Sequence, residues 1–136
     1  RIGDYAANVA KRSTALNLAP PLPHTRGLTV LGQLAVKQVR DVLVAFRDND
    51  AEAAQRVRDQ DAEIDTVYTS LFRELLTYMM EDPRAITPST HLLFMAKNIE
   101  RIGDHATNIA ENIWFLVHGD DALPPRDKRD ETNTVS

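Results

Sequence analysis

Apolar side chains recur at alternating spacings of four and three residues along most of this chain, the rhythm of helices that each bury one face. A stretch from about Leu28 to Asn49 places Leu28, Leu31, Ala35, Val39, Val42 and Phe46 on one side. The next, about Ala51 to Glu81, aligns Val57, Asp61, Ile64, Tyr68, Leu71, Leu75 and Tyr78, with Asn49 or Asp50 standing where an N-cap belongs. A further stretch opens near Thr87-Pro88, read as N-cap and N1 proline. It carries Leu92, Met95, Ile99, Ile102, Ala106, Ile109, Ile113 and Leu116 in heptad order up to Gly119, a C′ glycine. Ahead of these three, residues 1 to about 18 form a first helical stretch.

Proline marks the joints. Pro20, Pro21, Pro23, Pro83, Pro88, Pro124 and Pro125 avoid the periodic segments, as expected when an interior proline costs a helix about 3 kcal/mol. Residues 120–136 are polar and charged and predict a disordered tail. Long helices with short connections predict an all-α fold, an antiparallel three-helix bundle over residues 28–119.

An internal repeat refines this. Arg1-Ile-Gly-Asp-Tyr-Ala-Ala-Asn-Val-Ala10 returns as Arg101-Ile-Gly-Asp-His-Ala-Thr-Asn-Ile-Ala110, with seven of ten positions identical. A period near one hundred implies two copies of a large unit. Residues 28–119 then make one complete copy, and residues 1–18 the last helix of an earlier one, so the chain reads as a truncated tandem repeat. Gly3 and Gly103 stand inside helices, where glycine costs about 1 kcal/mol against alanine. Gly103 falls in line with Ala96 and Ala110, a smooth stripe that lets a neighbouring helix come close.

Composition narrows the function. A net charge of −4 with scattered Lys and Arg predicts no nucleic-acid partner, since phosphate contacts need a basic face. The absence of cysteine excludes disulfides and thiolate zinc sites and fits a cytoplasmic setting. No secretory signal opens the chain, and no apolar run approaches the ~18 residues of a membrane span. Only peripheral membrane association stays open.

The acidic residues carry the candidate chemistry. Glu100, Asp104 and Asn108 stand at i, i+4 and i+8, with Glu111 three further on, all on one helical face. Asp61 and Asp65 repeat the spacing, and Asp61 occupies a seam position where an apolar residue belongs. A buried carboxylate there needs arginine, water or metal. Asp4 and Asn8 show the same pattern in the first copy. Spacing alone does not decide. Twenty acidic residues in 136 give about three i, i+4 acidic pairs by chance, against five present, so a solvated acidic face is the competing reading. The repeat keeps Asp and Asn but exchanges Lys11 for Glu111, which makes Glu111 dispensable.

The stretch Asn98-Ile-Glu-Arg-Ile-Gly-Asp-His-Ala-Thr-Asn-Ile-Ala-Glu111 resembles the signature helix of the PhoU family. Asp-x-x-Ile-Asp-x-x-Tyr from Asp61, the following Arg-Glu-Leu-Leu-x-Tyr-Met, and residues 1–10 resemble that family too. The resemblance implies two three-helix repeats, each with two Glu/Asp-x-x-x-Asp motifs that hold iron or other metal clusters in some members. By position these are Asp61/Asp65 and Glu100/Asp104, with Asp4 as half of another; Asn108, Glu111 and Asn8 are supporting candidates. It further implies a non-enzymatic negative regulator of phosphate uptake and phosphate-starvation signalling. Such a regulator is an adaptor linking a phosphate ABC transporter's ATPase subunit to the sensor histidine kinase of the phosphate regulon. An all-oxygen donor set favours hard cations, with iron the first expectation, magnesium or manganese next and zinc behind.

Two other classes compete. A di-iron carboxylate oxidase or ferritin-like protein needs Glu-x-x-His on two helices, and no acidic residue lies three positions before His24, His91, His105 or His118. A structural bundle with no metal site needs only its acidic faces for solubility. Because Tyr5 replaces His105 in the other copy, imidazole is not required there. His118 suits a helix end, His91 is expected half-exposed, and Trp114, Phe115 and Tyr78 are read as packing residues. The apolar face of the first helix needs cover from the second repeat or another chain, so a homodimer is expected.

Overall fold

The computed structural model describes residues 1–16 and 25–119. They form α1 (Ile2–Leu16), α2 (Arg26–Asp48), α3 (Ala51–Glu81) and α4 (Ile86–His118), with a 3-10 turn at Pro83–Ala85. The described residues contain no strand. The loop at Pro20, Pro21 and Pro23, His24 and the tail at 120–136 lie outside the described residues.

The chain reverses between α2 and α3 in two residues. Asn49 takes the left-handed conformation (φ 49°, ψ 41°) that ends α2, and the Asp50 carboxylate accepts the Ala53 N–H at 3.0 Å to start α3. Asp50, not Asn49, is therefore the cap. Helix α4 begins earlier than Thr87-Pro88 predicts. The Asp82 carboxylate accepts the Arg84 N–H at 3.0 Å, Pro83 opens the 3-10 turn, and the turn passes directly into Ile86. Thr87 and Pro88 fall in the first turn of α4, where the missing proline N–H breaks no intrahelical bond. At the far end Gly119 (φ 65°) donates its N–H to the Phe115 carbonyl at 2.8 Å.

Helices α2, α3 and α4 pack as a three-helix bundle whose apolar core is divided in two. One cluster joins Leu31, Ile64, Leu71, Leu75 and Leu92. The other joins Val42, Val57, Ala106 and Ile113 nearer the α2–α3 turn. Between them each helix contributes polar or small groups: Gln38 from α2, Arg58 and Asp61 from α3, Glu100 and Gly103 from α4. The site lies in this gap.

Two seam assignments are corrected. Phe46 is 55% exposed and Leu116 73% exposed. The buried line of α2 runs Leu31, Ala35, Gln38, Val42, Ala45, which holds a 3.5-residue period and leaves Val39 and Phe46 on the flank. Ile113 is the last buried residue of α4, and Phe115, read as a packing residue, is exposed.

Helix α1 buries no residue completely. It lies antiparallel to α4: Tyr5 stacks on His105 with ring centroids 5.4 Å apart. Further along α1, Arg12 reaches back to earlier α4 residues, meeting His91 Nδ1 at 3.2 Å and covering the Phe94 ring at 4.1 Å. Val9 and Leu16 pack against the larger core cluster. A cleft of about 420 Å³ remains between Ile2, Ala6 and Val9 of α1 and Gly32, Val36, Ile99 and Ile102 of the bundle.

Candidate metal centre

Asp61 and Asp65 stand one turn apart on the inner face of α3, both 1% exposed. Half-buried Asp104 comes to them from α4. Each offers a carboxylate oxygen, and the three oxygens lie within 4.8 Å of one another. Two oxygens held by one hard cation at about 2.0–2.6 Å are no more than about 5 Å apart, so the spread suits a single ion. The periodicity that brings this about is plain: i and i+4 on α3 face α4, and the antiparallel α4 returns an aspartate to the same level.

The other expected residues take different places. Glu100 is buried one turn before Asp104, where Lys97 Nζ meets its Oε2 at 2.9 Å. The same ammonium lies 5.2 Å from the centre of the Tyr68 ring. Glu111 is half-buried and accepts the Arg58 Nε–H at 3.3 Å, with Arg58 itself buried. Asn108 is exposed on α4, and Asp4 and Asn8 are exposed on α1. None of these belongs to the three-aspartate group. No histidine among the described residues joins it either. His105 faces Tyr5, half-buried His91 meets Arg12, and His118 packs on the Trp114 ring with centroids 4.2 Å apart.

Gly103 explains how α3 and α4 come so close. A Cβ at that position would lie 3.0 Å from Asp61 Oδ1, 3.1 Å from Ile64 Cδ1 and 3.3 Å from Gln38 Oε1. The stripe of Ala96, Gly103 and Ala110 is buried as its spacing predicts. Gly3, by contrast, has open space where its Cβ would go, and nothing in the structure explains it.

Two buried polar residues at this level escape the sequence pattern. Gln38 donates Nε2–H to the Val57 carbonyl at 3.1 Å, while its Oε1 is buried with no hydrogen-bond partner among the described residues. The Thr107 hydroxyl, on the α4 face shared by Glu100 and Asp104, is in the same state. A polar residue at a seam position flags Gln38 as it flags Asp61, but only when the α2 seam is drawn through Gln38 instead of its apolar neighbour Val39.

Comparison with known proteins agrees with this architecture. Residues 28–113 match the family described as PhoU domain. The whole chain is 63% identical over 136 residues to the phosphate-specific transport system accessory protein PhoU homolog of Xylella fastidiosa strain 9a5c, covering 58% of that protein. It is 54% identical to the protein of that name from Rhizobium meliloti strain 1021, over 99% of this chain and 57% of that one. With the Pseudomonas aeruginosa PAO1 homolog it shares 43% over 124 residues, 89% of this chain and 50% of the relative. The chain thus spans little more than half the length of these relatives. With a family match across most of the described bundle, and relatives this similar along the whole sequence, the chain belongs to the PhoU family.

Proposed function

We propose that this chain forms part of a regulator of phosphate uptake that binds a hard cation between α3 and α4 and acts through contacts with other proteins, not through catalysis. The observation that carries the reading is the convergence of Asp61, Asp65 and Asp104 within 4.8 Å, in a chain so similar to phosphate-specific transport system accessory proteins. The residues fit a cation. Three carboxylates meet in a mostly buried gap, an amide oxygen with no hydrogen-bond partner among the described residues lies close by, and a glycine stands where a side chain would fill the space. A hard ion there would neutralise carboxylate charge and fix α3 against α4. Iron is the first expectation, then magnesium or manganese, with zinc behind because soft or imidazole ligands are missing from the group.

On this reading the protein is a negative regulator. It connects the ATPase subunit of a phosphate ABC transporter to the sensor histidine kinase of the phosphate regulon, at the cytoplasmic side of the membrane. No helix of the described residues is long and apolar enough to cross a membrane, so membrane contact would be peripheral. Residues 1–16 are read as the closing helix of a first repeat and the bundle as the second. A homodimer is part of the proposal, supported by the exposed apolar side chains Leu43, Phe46 and Leu116; sedimentation as a monomer at micromolar concentration would remove it.

Metal analysis of the purified protein beside Asp61→Ala and Asp104→Ala tests the site. Stoichiometric metal that both substitutions remove is the expected result. Metal at background in the parent protein would favour a second reading, supported by the Lys97–Glu100 and Arg58–Glu111 ion pairs, in which the acidic groups only stiffen the bundle. Pull-down from membranes with the intact protein tests the adaptor role, and recovery of neither transporter nor kinase would count against it.

A further inference from the structure

The gap between the two core clusters holds a group that the acidic motifs do not include. Gln38 lies on the buried line of α2 and is 3% exposed. Its orientation is fixed from one side: Nε2 donates to the Val57 carbonyl at 3.1 Å. A backbone carbonyl can only accept, so turning the amide over would set oxygen against oxygen. The amide oxygen must therefore point the other way. There it has no hydrogen-bond partner among the described residues, although a buried amide acceptor left unsatisfied costs about 1–3 kcal/mol.

What it points toward is the space beside Gly103, which Asp61 shares. Gln38 Oε1 and Asp61 Oδ1 lie 3.3 and 3.0 Å from one point, the place where a Cβ of Gly103 would be. Asp104 follows Gly103 directly in α4. A buried amide oxygen that turns toward a space shared with a carboxylate is satisfied by a cation or a proton. Three carboxylates with a neutral carbonyl-type oxygen make the mixed donor set that hard cations take, and zinc bound by sulfur or imidazole does not.

We propose that Gln38 is a ligand of the cation, a neutral oxygen supplied by α2 to the aspartates of α3 and α4. The assignment rests on the carboxylate-site reading above and extends it. The ion then touches all three helices of the bundle. Gln38 adds coordination without adding charge, so its loss weakens binding while the three carboxylates remain.

The test uses Mn2+ alone as probe, with the full chain and isothermal titration. Gln38→Met keeps the volume and removes the oxygen; Asp65→Asn reports on the carboxylate site itself. The expected result is binding to the parent protein, loss of binding in Asp65→Asn, and an affinity about tenfold lower in Gln38→Met. Mg2+ titration of the unsubstituted protein, followed at the Gln38 side-chain carbonyl carbon by NMR, gives a second reading that does not depend on any variant folding; a shift saturating with the ion is expected. If Asp65→Asn abolishes binding while Gln38→Met binds like the parent, or the carbonyl carbon responds only to pH, the oxygen faces a protonated Asp61. The ligand assignment is then overturned and the carboxylate site stands. If the parent protein takes up neither ion, the carboxylate site fails, and the assignment with it.

Discussion

Gly103 and Asp61 approach closely: a Cβ on the glycine would lie 3.0 Å from the Asp61 Oδ1, tight enough that the carboxylate must give way to admit a methyl group. Helix propensity and packing therefore oppose each other at this position. Gly103→Ala gains up to about 1 kcal/mol in propensity but forces Asp61, Ile64 and Gln38 aside. A net loss of about 1–3 kcal/mol in denaturant unfolding is expected.

Gly32 supplies the opposite case. It sits inside α2 on the wall of the 420 Å³ cleft, with nothing within 4 Å of its missing Cβ. Gly32→Ala is expected to stabilise the protein by about 1 kcal/mol, raising Tm by a few degrees in calorimetry. A lower Tm would show that the cleft closes in solution.

Helix α1 is held to the bundle largely by side-chain contacts at its margin, with no fully buried residue of its own. Tyr5→Ala removes the stack on His105 and the ring that Arg1 and Arg101 approach at 5.8 and 6.0 Å. A weakening of α1 docking by about 1 kcal/mol is expected. Amide exchange should quicken about fivefold across residues 2–16 with α3 unchanged; uniform quickening in every helix would contradict it.

The α3–α4 junction carries a pH dependence. The Arg84 side chain, and after it the Arg84 backbone N–H, hold the Asp82 carboxyl below its usual range. A carboxyl lowered on folding stabilises the native state above its unfolded value near about 4. That contribution disappears as pH falls through the lowered folded value. The stability difference between the parent protein and Asp82→Asn should therefore shrink below about pH 4. A difference that stays constant down to pH 2 would assign the effect to capping geometry.

Along α4, Ile113 and Leu116 should behave differently despite their shared heptad register. Ile113→Ala is expected to cost about 2–5 kcal/mol, and Leu116→Ala within about 0.5 kcal/mol, because one is 1% and the other 73% exposed. Equal costs would mean that the exposed end of α4 is covered in solution.

These contrasts show where the sequence was readable. Helix α3 runs from Ala51 to Glu81 as its pattern predicts, because Asp50 caps it and its seam is buried from Val57 to Leu75. The acidic motifs of α3 and α4 were legible for the same reason, since i and i+4 share a face whatever surrounds them. What periodicity cannot supply is level. Whether Glu100 or Asp104 reaches Asp61 and Asp65 depends on the register of α4 against α3 and on Lys97, whose ammonium takes Glu100. Gln38 was hidden by Val39, an apolar neighbour that satisfies the α2 pattern almost as well. Thr87-Pro88 looked like a helix start because proline suits a first turn, and the cap that begins the segment, Asp82, lies several residues earlier.

Consecutive residues of a helix point about 100° apart, and Asp104 and His105 use that angle to address two different neighbours. The carboxylate meets the aspartates of α3 and the imidazole meets Tyr5 of α1. A turn of α4 about its own axis by about 10° would carry each side-chain tip roughly 1 Å along its arc, displacing both contacts together. Whatever pulls on one side of this axle is felt on the other, within the span of a single peptide bond.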